Sequence, residues 1–137
     1  MRGLFAFREG DHEEAAVGFH TVLTGAAKRG DRTLLIRALE GIGRVVAEQG
    51  DLERGALLFG AAASRRDAAP WPVPPVDRPW YDAVVARLRD GLGDLPFESA
   101  WSCGGAMSTE ELVHVAGADR AVWLRAGRPH PATVGRE

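Results

Sequence analysis

Three Gly-Asp pairs, Gly10-Asp11, Gly30-Asp31 and Gly50-Asp51, stand at twenty-residue intervals and cut the first half of the chain into segments of helical length. The outer two open near-copies of each other. REGDHEEAAVGFH from Arg8 and EQGDLERGALLFG from Glu48 agree at five of thirteen positions: Gly10/Gly50, Asp11/Asp51, Glu13/Glu53, Ala16/Ala56 and Phe19/Phe59. Each identity has a mechanical use. Glycine ends one helix in the left-handed conformation, the aspartate beside it caps the next helix, and the glutamate behind it favours the positive helix start. Alanine lets two helices approach closely, and phenylalanine fills the groove between them. A period near forty, punctuated at its midpoint, is the signature of stacked antiparallel helical hairpins.

The apolar spacing agrees. Ala15, Ala16, Phe19, Val22, Leu23 and Ala26 fall on one stripe at helical spacing. Leu34, Leu35, Ala38, Leu39, Ile42, Val45 and Val46 make a broader stripe, as suits a helix contacted on two sides. The chain is therefore expected to be all-α, with helical repeats over 1–67.

Five prolines in AAPWPVPPVDRP end that array and predict a stiff connector over 68–79. Beyond it, Trp80, Tyr81, Val84, Val85, Leu88 and Leu92 predict an amphipathic helix that Gly91 and Gly93 end. LPFESAWSCGG predicts a short helix with Phe97 and Trp101 one turn apart, and Ser108 with Glu111 reads as a capping box. Residues 80–117 are thus expected to form a C-terminal helical cap. Residues 118–137 lose periodicity and gain Pro and Gly, so a flexible tail is expected there.

Composition excludes several classes. The formal net charge of −2 argues against a dedicated nucleic-acid binder, and no direct nucleic-acid binding is expected. Cys103 is the only cysteine, so no internal disulfide is possible and a reducing cytoplasm is expected. MRGLFAFREGD turns polar too soon for a signal peptide, and no apolar run approaches a membrane span.

From about residue 31 to 117 the chain resembles the C-terminal end of bacterial LuxR-type and adenylate-cyclase-like signal-transduction ATPase regulators. The resemblance is carried by EQGDLERGALLFGAAASRRDA, the proline connector, and the succession Phe97, Trp101, Ser108, Glu110, Glu111 in LPFESAWSCGGAMSTEELVHVA. It implies a right-handed array of tetratricopeptide-like hairpins with a terminal cap. The family's ATPase and helix-turn-helix modules have no counterpart here. No GxxxxGK[ST] phosphate loop is present, and Lys28 in TGAAKRGD lacks the glycine cradle, so neither binding nor hydrolysis of ATP is expected.

Candidate chemistry is sparse. His12, His20, His114 and His130 are scattered without zinc spacing, and one cysteine cannot supply a thiolate set, so no metal site and no cofactor are expected. Glu13 and Glu14 sit where carboxylates stabilise a helix start, and Arg65-Arg66 where cations suit a helix end. Trp71, Trp80, Tyr81, Phe97 and Trp101 crowd into thirty-one residues. They either staple the connector and cap to the last repeat, or line an apolar pocket in which Cys103 takes part. The expected function is a non-enzymatic regulatory or scaffold module that binds a protein, peptide or effector in a groove including Arg37, Glu40 and Arg44. The alternative is a small-molecule-binding, even catalytic, helical protein using the aromatics around Trp80 and Trp101. Leu4, Phe5 and Phe7 precede Gly10 in too short a stretch to partner the next helix, and predict an apolar edge closed by a homodimer.

Overall fold

The computed structural model describes residues 9–117, with side chains from His12 onward. Six α-helices follow one another: α1 (Glu9–Arg29), α2 (Arg32–Glu48), α3 (Leu52–Ala68), α4 (Arg78–Leu92), α5 (Asp94–Ala106) and α6 (Thr109–Gly117), with one 3-10 turn at Pro75–Asp77. No strand occurs among the described residues, and the fold is all-α. The stretch with Leu4, Phe5 and Phe7, the segment 118–137 and His130 lie outside the described residues.

The second and third Gly-Asp pairs act as local chemistry dictates. Gly30 and Gly50 take φ of 70° and 93°, the left-handed conformation that a side chain resists. Asp31 N and Asp51 N each reach back five residues, to Ala26 O at 2.9 Å and Val46 O at 2.8 Å, which closes a Schellman motif. The same aspartates turn forward: the Asp31 carboxylate accepts from Leu34 N at 3.1 Å, and that of Asp51 from Arg54 N at 3.4 Å. Each pair thus ends one helix and starts the next within two residues. The first pair lies within α1 and does not separate two of the described helices. Glycine inside a helix costs only about 1 kcal/mol.

α2 is the central helix. Leu35, Ile36, Ala38, Leu39, Ile42, Val45 and Val46 are buried on it, packed by α1 on one side and α3 on the other. Phe19 of α1 and Phe59 of α3 press on neighbouring notches of α2, at Gly41 and Gly43 respectively. The proline connector then changes the order. On the side away from α2, α3 packs on α5, while α4, next in sequence, touches α3 and α5 less extensively. The α3–α5 crossing is close because glycines face backbone. A Cβ on Gly60 would overlap the Trp101 backbone, and one on Gly104 would overlap the Leu57 carbonyl.

α6 returns to the start of the array. Its capping box forms in both directions, Glu111 N to Ser108 Oγ at 3.1 Å and Ser108 N to Glu111 Oε1 at 2.8 Å. His20 Nε2 donates to Val113 O at 3.1 Å and Arg54 Nη1 to Val115 O at 3.2 Å, which tie α1 and α3 to α6. Arg65, at the end of α3, donates from Nη2 to Met107 O at 3.1 Å, and burial lowers its pKa. The arginine placed by sequence at a helix end thus spans to the loop before α6.

Candidate functional site

α2 carries Arg37, Glu40 and Arg44 at i, i+3 and i+7, a spacing that sets all three on one face. The structure brings them to one cleft of about 420 Å³, whose walls also include Phe19 and Val22 of α1, Leu34 of α2, Arg66 of α3, and Asp77 and Trp80 beyond the connector. The three do not share one environment. Arg37 is exposed. Glu40, expected on the open surface, is instead 4% exposed, because Arg66 from α3 reaches it under the connector. Nε of Arg66 donates to Glu40 Oε2 at 2.8 Å, and Nη2 to Oε1 at 3.0 Å. An acid in the middle of a helix packed on both sides needs a buried base, and that isolated glutamate was the available signal for Arg66.

The connector folds back over this face through cation–aromatic stacking. Arg66 also donates to Trp71 O at 3.0 Å, and its guanidinium lies 4.4 Å from the Trp71 ring centre. Arg37 approaches the same ring at 5.5 Å. Farther along α2, Arg44 lies 4.8 Å from the Trp80 ring centre and 3.8 Å from Glu48 Oε2. The Trp80 indole N–H donates to Asp77 Oδ1 at 3.2 Å. The closely spaced aromatics take different positions. Trp80 lines the cleft, whereas Tyr81 turns inward against Phe59 with ring centres 5.5 Å apart. Phe97 and Trp101 pair at 5.2 Å on α5, with Arg89 stacked 4.4 Å from the Phe97 ring. Tyr81 and Phe97 are buried in one apolar cluster with Phe59 and Leu88, against which Trp80 and Trp101 pack, whereas Trp71 packs on the cluster that includes Cys103.

Two groups are held in their neutral forms. Burial, followed by the nearby Glu40 charge, pushes the Tyr81 phenol up to about 12, against the opposing pull of Arg66 and Arg78. Burial and the charges of Glu53 and Glu111 push the Cys103 thiol up to about 11. Cys103 is 2% exposed on α5, away from Trp80, and a thiol held protonated is a poor nucleophile.

A second, more polar cavity of about 810 Å³ lies between α1, the α2–α3 turn and α6, with His12, His20, Glu48, Asp51 and Arg54 in its walls. His12 Nε2 stands 3.3 Å from Glu48 Oε1, and Arg54 Nε 3.3 Å from Asp51 Oδ2. Among the described residues, no three His, Cys, Asp or Glu side chains converge as metal ligands, and no helix is long and apolar enough to cross a membrane.

No protein-family model matches the chain, and no solved structure matches it. The chain is similar to proteins of Mycobacterium bovis and of two Mycobacterium tuberculosis strains named, provisionally, as HTH-type transcriptional regulators. It is 30% identical to each over 128 residues, which is 93% of this chain. The chain spans only 14% of the length of those relatives. Their names correct the expectation of no direct nucleic-acid binding, since a regulator of the helix-turn-helix type implies binding to DNA. The net charge of −2 is a property of this chain alone and does not speak for proteins of which it spans only 14%.

Proposed function

We propose that the chain is a regulatory helical module of the kind carried by HTH-type transcriptional regulators. In this reading it works in the cytoplasm, without catalysis, by taking a protein segment in the cleft on α2. The regulator-like relatives supply the class. The observation that carries the binding role is the cleft itself, where exposed Arg37 stands beside the apolar rim of Phe19, Val22 and Leu34. The helices fit an array of tetratricopeptide-like hairpins closed by α4–α6. The support for that is the forty-residue offset between Phe19 and Phe59, both of which fill glycine notches on α2.

A regulatory role predicts a transcriptional consequence. Deleting the coding sequence in its host, and separately introducing Val22→Glu, should shift one shared set of transcripts. Unchanged transcripts after deletion would remove the regulatory reading. Calorimetry with Mg-ATP tests the non-catalytic part, because saturable micromolar binding would require a nucleotide site.

A further inference from the structure

The cleft on α2 sorts its partners by charge, an inference that rests on the binding role just proposed. We propose that it takes an amphipathic helix of a partner protein, which sets a carboxylate against Arg37 and bulky apolar side chains between Phe19, Val22, Leu34 and Trp80. Three cations and two acids line the cleft: Arg37, Arg44 and Arg66 against Glu40 and Asp77. Glu40 is bound by Arg66, and Asp77 accepts from the Trp80 indole. Arg44 lies beside Glu48. Arg37 has no carboxylate partner among the described residues, and it is exposed. Its guanidinium already rests near the Trp71 ring, so less side-chain freedom is lost when a carboxylate docks.

The remaining rim is apolar and open to solvent. Phe19 is 36% exposed and Val22 40%. A partner that fits therefore carries apolar residues in a row with an acid at one side. It is helical for a backbone reason. The walls come from helices whose own N–H and C=O groups are largely paired internally, so an extended segment would bury unpaired backbone there. A helix satisfies its own.

The test is selection of a random displayed-peptide library on the full chain, with counter-selection on the Val22→Glu variant. Enriched peptides should share an amphipathic helical pattern with Asp or Glu at one fixed position. Changing that acid to Lys should weaken binding at least about tenfold, and the Arg37→Glu chain should prefer the Lys peptide. Circular dichroism of both variants confirms that they fold. Cleft-dependent peptides with neutral or basic residues at that position would overturn the partner chemistry and leave the cleft's binding role standing. Enrichment of no peptide that depends on Val22 would overturn both. A DNA duplex that binds the chain and is lost with Arg37→Glu, while no peptide is enriched, would assign Arg37 to phosphate instead.

Discussion

Arg66 of α3 grips both carboxylate oxygens of Glu40 of α2, at 2.8 and 3.0 Å, with the two side chains 7% and 5% exposed. The same guanidinium holds the Trp71 carbonyl, so one cation joins α2, α3 and the connector. Removing either partner leaves a buried charge unmatched. Glu40→Ala and Arg66→Ala should each cost about 3–5 kcal/mol, while Glu40→Leu combined with Arg66→Met should recover much of the loss. Urea denaturation of the three variants checks this. Losses under 1 kcal/mol for the single variants would mean that the pair is solvated.

Phe59 is fully buried and Phe19 is 36% exposed, although the two stand forty residues apart in matching sequence contexts. Phe59→Ala should cost about 3–5 kcal/mol, and Phe19→Ala less. Chemical denaturation showing equal or reversed losses would contradict the layering of α1, α2 and α3.

Gly104 and Gly105 are neighbours on α5 with opposite surroundings. A Cβ on Gly104 would run into the Leu57 carbonyl, whereas one on Gly105 would stand 3.5 Å from Ser64 Cβ, an ordinary contact. Gly104→Ala should destabilise by about 1–3 kcal/mol or more through overpacking at the crossing. Gly105→Ala should be neutral or stabilising by up to about 1 kcal/mol, since alanine is the better helix residue. Similar melting temperatures for the two variants would show that α3 and α5 cross less closely.

Tyr81 is the only tyrosine, so its ionisation can be followed without interference. A phenol pushed up to about 12 should stay protonated well past pH 10 in the folded chain. The folded pKa is raised above the unfolded value. The associated stability is therefore complete below about pH 10 and lost as pH rises through about 12. Tyrosinate absorbance rising near pH 10 with the fold intact would place the ring in water.

Cys103 should resist alkylation at neutral pH, because its thiol is buried and pushed up to about 11. A thiol reagent should label it fully in denaturant and far more slowly in the folded chain. Equal rates in both states would mean that α5 opens readily or that the thiol is exposed.

The groove residues named from sequence share a face because helical spacing guarantees it. What the spacing could not supply was the partner of each residue. Glu40 reads as surface-exposed, one of three groove residues with Arg37 and Arg44 about one turn away on the same face. Arg66 lies twenty-six positions away, and only the packing of α3 against α2 brings it there. The aromatic spacing left open whether these side chains staple the cap or line a pocket, and Tyr81 and Phe97 are drawn inward by neighbours on other helices.

The sequence by itself determined the helical class, the stops at Gly30 and Gly50, the caps at Asp31 and Asp51, and the Ser108–Glu111 box. These are contacts made within about a turn of backbone, where identity and spacing decide the geometry. Tertiary structure decided that α5 packs more extensively than α4 on α3, and that Trp71 and Trp80 fold back onto α2. Those outcomes depend on which surfaces bury each other best. A Gly-Asp pair can lie inside a helix or between helices, and a glycine is a crossing point only when another backbone arrives to meet it.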